Sequence, residues 1–302
     1  LDKVGFYTYA QKEGLPVPNT FFLYSRADAE EAAQKLAFPC ILKPPFRPEA
    51  WTRHTKQKAF KAASPAELLA LYDHYHQWTD VLIAQDLIEG PDTNHYSCNC
   101  YFNANSEPVV TFVSRKTRQW PPETGQGCLS EEYRNDIVLQ ETIRLFRGVN
   151  YRGLGYLEMK RDAHCDKHYI IEPNIGRPTG RSAIAEAGGV ELHYTMYCDA
   201  LGWPLPANLE QTYQGVKWVH LLRDLQSSFY YWRRGDLNLS QWWQSVRGAK
   251  TYAVFSRSDP GPFLSAVLQA ITVFLSAREQ GKEDYQKSQP DDAVVTAQVS
   301  HS

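Results

Sequence analysis

Between Tyr156 and Asn174 the chain reads YLEMKRDAHCDKHYIIEPN. Two short runs of alternating apolar and polar residues flank a polar turn, Asp162 to Lys167, which is the pattern of a β-hairpin. Side chains alternate faces along a strand, so Tyr156, Glu158 and Lys160 share one face of the first strand, and Ile170, Glu172 and Asn174 one face of the second. With the turn centred on Cys165, Glu158 and Glu172 stand equally far from it in sequence and face each other. Like charges held about 5 Å apart at Cβ destabilise a sheet. A hard divalent cation with oxygen ligands would offset the repulsion. The other reading is a solvated hairpin face on which Lys160 and Lys167 neutralise the acids.

The 302-residue chain is long enough for two domains, or for one with an appendage. Its 34 acidic residues nearly balance 32 Lys and Arg, for a formal net charge of -2, which argues against bulk binding to nucleic acid or an anionic membrane. No apolar run reaches the length of a membrane span; the longest candidate, 262–277, is interrupted by Ser265, Gln269 and Thr272. The opening Leu1-Asp2-Lys3 is not the basic-then-apolar start of a secretory leader. The six cysteines are scattered without a CxxC pair, so the expected setting is the reducing cytoplasm, without disulfides or zinc.

Along the chain, residues 2–13 predict a helix capped by Asp2 and stopped at Gly14. Strands are expected at 20–23, 38–43 and 81–86, with an Ala-rich helix at 27–36. Residues 44–63 read as a basic loop or hairpin, and Ser64-Pro65-Ala66-Glu67 as a capping box with Pro in the first turn. Antiparallel strands at 96–102 and 108–115 precede a loop over 120–127 and a helix over 131–147. After the hairpin, helices are expected near 182–187, 190–201, 214–233, 239–247 and 260–281.

An enzyme that handles ATP must neutralise phosphate charge, chelate a metal and grip adenine. Lys3 and Lys43, at a helix start and a strand end, can reach phosphates. The strand end from Gln85 to Ile88 can offer backbone groups to adenine, and Glu89 and Asp92 can accept from ribose hydroxyls. Glu158, Glu172 and Asn174 supply oxygens for Mg²⁺. This order of parts resembles the carboxylate–amine ligases of the ATP-grasp superfamily, in Asp2-Lys3, GLPVPNTF at 14–21, FPCILKP at 38–44, QDLIEGPD at 85–92, and Glu158 with Glu172-x-Asn174. The likeness covers residues 1 to about 205. Its subgroup looks like that of D-aspartate ligase, which carries a similar metal strand and a Trp-rich helical extension.

The resemblance implies an α+β fold in which two α+β subdomains clasp ATP: residues 1–205 as the ATP-grasp domain, 43–86 its small lid, 206–283 a helical C-terminal extension and 284–302 a polar, disordered tail. The α/β domain that usually precedes the Asp-Lys helix is not expected here. By the same resemblance, Lys3 and Lys43 would bind phosphates, Gln85 and Ile88 adenine, and Asp92 the ribose. Glu158, Glu172 and Asn174 would hold Mg²⁺, with Mn²⁺ as a substitute. Arg177 or Arg181 would contact the γ-phosphate or the acyl phosphate. Arg115, Lys116 and Arg118 would face the acyl pocket. One departure is the phosphate cover: residues 44–63 contain no glycine.

The expected activity is a ligase joining a small-molecule carboxylate to an amine through an acyl phosphate, with no nucleic acid or membrane span involved and a homodimer as its assembly. A nucleotide-binding module without turnover and a small-molecule kinase are the alternatives. His95, His164 and His193 have no partner spacing and read as structural; Cys128 has no neighbouring base; Trp218, Trp232, Trp242 and Trp243 read as core or interface.

Overall fold

The computed structural model describes residues 2–122, 125–176 and 180–272. It divides into two compact units after Ala253. The chain begins with α1 (Lys3–Lys12), whose first turn is closed by the Asp2 carboxylate accepting from the Val4 and Gly5 amides. Gly14, at φ +60°, ends it in a conformation that glycine adopts without strain.

The next six elements are β1 (Thr20–Leu23), α2 (Arg26–Lys35), β2 (Cys40–Lys43), α3 (Glu49–His54), β3 (Phe60–Ala62) and α4 (Pro65–Tyr75), followed by β4 (Leu82–Asp86). Their strands form an antiparallel sheet in the order β1-β4-β2-β3. Helices α2 and α4 share a core with it that includes Leu23, Ala29, Leu42, Trp51, Leu68 and Leu82. The stretch expected as a basic loop is therefore a short helix and strand. Trp51 is its anchor, fully buried among Phe60, Tyr75 and Trp78. At the start of α4, Ser64 caps the Glu67 amide, but the Glu67 carboxylate reaches Ala63 N–H rather than closing the expected box on Ser64.

The larger sheet is built from β5 (His95–Phe102), β6 (Pro108–Trp120), β7 (Gln126–Glu132), β8 (Gly153–Arg161) and β9 (His168–Ile175), with α5 (Asp136–Gly148) between β7 and β8. Beyond it come α6 (Ala183–Ala187), α7 (Leu192–Leu201), β10 (Lys217–Val219), α8 (Leu221–Arg233), α9 (Leu239–Val246) and β11 (Lys250–Tyr252). The strand order is β11-β10-β7-β6-β5-β8-β9. Two expectations change. Glu131 and Glu132 lie on strand β7; the helix starts only after Asn135, whose side chain caps the Val138 amide. Residues 217–219, expected in a helix, pair with β7.

The sheet's two faces differ. Phe102, Val113, Leu157, Met159 and Ile170 on one face pack with α1 and α5. On the other, Phe112, Leu154 and Trp218 pack with α6 and α7 at one end only, through Ile184, Ala185 and Leu192. Further along, that second face carries the polar row Ser97, Ser114, Lys116, Glu158 and Lys160. In the second unit the described residues are helical over 261–272. Among the described residues no helix is long and apolar enough to cross a membrane.

Candidate active site

The hairpin supplies the two acids, by a route different from simple alternation. Asp162 N–H donates to Lys167 O and Arg161 pairs with His168, so the turn is not centred on Cys165. The ladder then steps from Met159–Ile170 to Glu158–Glu172, leaving Ile171 as an extra residue, a β-bulge. One inserted residue flips the alternation. Ile170 therefore lies on the core face and not beside Glu172, while Glu172 comes to stand directly opposite Glu158, and Asn174 opposite Tyr156.

Cations surround this pair. The Arg181 guanidinium, from the short turn before α6, donates to Glu158 Oε1. Lys116 Nζ on β6 lies 3.9 Å from the same oxygen. Lys3 Nζ at the start of α1 lies 3.5 Å from Glu172 Oε1. Burial works against ionising Glu158, but Lys116 and Arg181 outweigh it and hold the carboxyl down at about 2. Burial also lowers Lys116, with Glu158 opposing. Both cations crowd over Gly127: a Cβ there would sit 3.2 Å from Arg181 Nη1 and 3.4 Å from Lys116 Cγ.

Glu158, Glu172 and Asn174 fit a hard divalent cation: two opposed carboxylates, one of them firmly ionised, and an amide. The Asn174 Nδ2 atom is buried without a hydrogen-bond partner, and turning that amide over presents an oxygen at the same place. Among the described residues no three His, Cys, Asp or Glu side chains converge on a metal position, so phosphate or water oxygens would complete the coordination.

Lys43 joins the site from the small sheet. Its ammonium donates to Gln85 Oε1 at 2.9 Å and lies 5.3 Å above the Tyr7 ring. Burial brings its pKa down to about 8, against the pull of Glu172. Tyr7 in turn donates to Ile171 O at 2.8 Å, tying α1 to the bulge, and Gln85 Nε2 donates to Thr20 Oγ1 at 2.7 Å. The Gln85 side chain is thus held between Lys43 and Thr20. Strand β4 lies between β1 and β2, so its backbone is used on both edges, and its side chain steadies Lys43.

Next to the carboxylates is a cavity of about 830 Å³. Ile41, Phe60 and Lys61 of the small sheet line it, with the connector 87–93, His95, Gln119 and Lys160 of the large sheet, and Tyr231, Arg234 and Leu237 beyond. Ile88 lies past the end of β4 with its side chain at the wall. The Asp92 carboxylate accepts from Gln119 Nε2 at 2.7 Å and from Tyr231 OH at 2.8 Å, and burial raises its pKa. Lys160, on the face of Glu158, joins the cavity to the acids, and burial lowers its pKa. Burial drives the neighbouring His95 well below the ordinary imidazole value, and Lys116 and Lys160 add to that.

The basic group on β6 disperses. Arg115 points to the other face, donating to Glu131 at 2.6 Å and covering the Tyr133 ring. Arg118 is consumed by a bidentate pair with Asp224, at 2.8 and 3.1 Å. Only Lys116 reaches the acids. Arg177 lies outside the described residues. Cys128 is buried, and burial together with the neighbouring Asp224 carboxylate pushes its thiol up to about 12. His164 and His193, without visible partners in the sequence, pair with Glu89 and Glu186. Sequence reasoning overlooked Tyr7, Gln119 and Tyr231, which carry no motif, and, though it set Lys160 on the face of Glu158, gave it a role only as a counter-charge in the solvated-face alternative.

No protein-family model matches the chain. The α-aminoadipate–LysW ligase LysX of Sulfurisphaera tokodaii is 23% identical over 181 residues, covering 57% of this chain and 58% of the ligase. Among solved structures, biotin carboxylase from Campylobacter jejuni, in a β,γ-ATP complex, superposes with a TM-score of 0.55 at 17% identity, over 68% of this chain and 47% of its own. N5-carboxyaminoimidazole synthetase from Staphylococcus aureus gives 0.56 at 14% identity, over 70% and 53%. The chain has the ATP-grasp fold. It spans about half the length of these proteins. Residues of both sheets line the cavity, and the acidic pair stands on the larger one.

Proposed function

We propose that this protein is an ATP- and Mg²⁺-dependent ligase that joins a carboxylate to an amine, an amino acid or peptide-like molecule, through an acyl phosphate, releasing ADP and phosphate. One observation carries the reading. Lys160 at the cavity wall stands two residues from Glu158 on the same face of β8, and around Glu158 and Glu172 the cations Lys3, Lys43, Lys116, Lys160 and Arg181 outnumber the two carboxylates. Such a surplus suits a polyphosphate. The fold, and a relative named as a ligase, support the same reaction class.

Ile41, Phe60, Ile88 and Leu237 offer apolar walls for a base, and Asp92 an acceptor for sugar hydroxyls. Lys43 and Lys3 would neutralise phosphate oxygens. Lys116 and Arg181 would draw the developing charge of the transferring phosphoryl group toward the acyl substrate. Mg²⁺ held by Glu158, Glu172 and Asn174 would screen the phosphates and polarise the bond that breaks. The acyl phosphate itself supplies the activation, so the chain needs no covalent nucleophile. The EPN strand favours the D-aspartate-ligase-like subgroup as the source of the substrates.

The test is to incubate the protein with Mg-ATP and panels of amino-acid carboxylates and amines, following phosphate release and product mass. An acceptor-dependent amide with stoichiometric ADP is expected. Phosphate release indifferent to every acceptor pair, or a phosphoester product, would overturn the ligase reading.

A further inference from the structure

Helix α8 is inside out. Its buried face carries Asp224, Ser227 and Ser228, while Leu225, Phe229 and Trp232 are exposed. An amphipathic helix normally buries its apolar stripe. Three inward-facing polar residues reach one strand or the cavity beside it: Asp224 grips Arg118, Ser227 Oγ donates to Gln119 O at 2.9 Å, and Tyr231 OH donates to Asp92 Oδ2. Gln119 closes the circuit by donating to the other oxygen of Asp92. The helix is therefore fitted to the wall of the cavity rather than to an apolar core.

We propose that α8 is part of the nucleotide site, and that Tyr231 is a positioning residue that orients the Asp92 carboxylate to accept ribose hydroxyls. The inference rests on reading the cavity as a nucleotide site. An ionised carboxylate is acceptor-only, with about four lone-pair directions. Tyr231 and Gln119 each occupy one, which fixes the plane of the group and leaves acceptor capacity for hydroxyl donors in the cavity. A half-buried carboxylate held at both oxygens cannot swing to follow a misplaced sugar. Residues 221–233 would then set which nucleotide is accepted, through a helix distant in sequence from every phosphate-binding lysine.

The experiment is calorimetric titration of the full chain, wild type and Tyr231→Phe, with Mg-ATP and with its 2′-deoxy and 3′-deoxy analogues. Tyr231→Phe keeps the ring and removes only the hydroxyl. It should weaken ATP about tenfold, the worth of one hydrogen bond to a charged group, and weaken at least one deoxy analogue much less, because the contact being misaligned is already missing there. Asp92→Asn should show the same pattern. Equal affinity of variant and wild type for ATP, or an equal loss for ATP and both analogues, would overturn the proposal, since a merely structural hydroxyl would not distinguish sugars. Wild-type protein that binds none of the three nucleotides would overturn the nucleotide reading itself.

Discussion

Two buried arginine–carboxylate pairs sit on the same face of the large sheet and do opposite things. Arg118 and Asp224 are 5% and 1% exposed, joined by two parallel hydrogen bonds, with Ser245 satisfying a further guanidinium nitrogen. The charges balance and nothing is left over. Arg181 and Glu158 are 14% and 16% exposed, and a second cation, Lys116, shares the same carboxylate oxygen. The first pair closes on itself; the second leaves positive charge unspent at the edge of a cavity. Balanced burial is what a structural tie requires, because a lone buried charge is very costly. Surplus charge in a half-open place is tolerable only where an anion will come. Exposure alone would not separate the two; the local charge count does.

The comparison breaks most sharply on stability. Asp224→Ala strands the Arg118 guanidinium and should cost ~3–5 kcal/mol, read as a fall in urea midpoint at unchanged slope. A double change, Arg118→Met with Asp224→Leu, should recover most of that. If Asp224→Ala unfolds no more easily than wild type, the structural reading of this pair fails. Glu158→Gln also removes the anion that Arg181 and Lys116 share, so its urea midpoint should fall too, but by less, because the amide oxygen still accepts from Arg181 and that guanidinium is closer to solvent than Arg118. Its main effect belongs to turnover: a loss of roughly 10²–10³ in kcat, the usual worth of a group stabilising transferred charge. A Glu158→Gln enzyme with full ligase turnover would place the chemistry elsewhere.

The difference between these pairs was only partly legible in the sequence. Local signals were sound: the Asp2 cap, the strand at Thr20–Leu23 and the hairpin itself all rest on neighbours within a few residues. The opposition of Glu158 and Glu172 was inferred from a turn centred on Cys165, whereas the off-centre turn and the bulge at Ile171 cancel to give the same pair. A bulge leaves no composition signal, so the face of Ile170 was misassigned. On β6 Arg115 parts from Lys116 by ordinary strand alternation, and Arg118 is drawn off by Asp224, a partner 106 residues away in sequence. Strand β10 and the inverted α8 depend on partners far away in sequence. Amphipathicity says which side of α8 is apolar, not that this side faces out.

Lys43 gives a subtler handle, because its surroundings are arranged against its charge. Its folded pKa of about 8 is below the ordinary 10.5. Between those values the unfolded chain binds more protons than the folded one, so this residue's contribution to stability rises as pH climbs from about 8 to about 10.5. Below pH 8 the folded protein carries the full cost of a buried ammonium, on the order of 1 kcal/mol once solvent access is allowed for. Lys43→Met should therefore stabilise the ligand-free protein at pH 7, and that advantage should shrink toward pH 10.5 in urea titrations. The same variant should bind Mg-ATP about tenfold more weakly, the loss of a charge-assisted contact. Stabilisation without any loss of nucleotide affinity would take Lys43 out of the site.

The smallest expected effect tests whether the surplus charge is not only present but placed. Gly127 lies where Arg181 and Lys116 pass over β7, and an added Cβ would come within 3.2–3.4 Å of Arg181 Nη1, Arg181 Cδ and Lys116 Cγ. Those are ends and stems of flexible side chains, so they can give by a few tenths of an ångström at little energetic cost. Gly127→Ala also narrows the unfolded ensemble, which favours folding by ~0.4–1 kcal/mol where the backbone accepts alanine. The two terms roughly cancel, and the melting temperature should hardly move. Placement is less forgiving, because a shift of even a fraction of an ångström misaligns hydrogen bonds to a transferring phosphoryl group. Turnover should fall about fivefold, near 1 kcal/mol in barrier, with nucleotide affinity unchanged. Full turnover in Gly127→Ala would mean that the charge around Glu158 acts by its sum and not by its geometry, and the contrast with the closed Arg118–Asp224 pair would then be one of charge count alone.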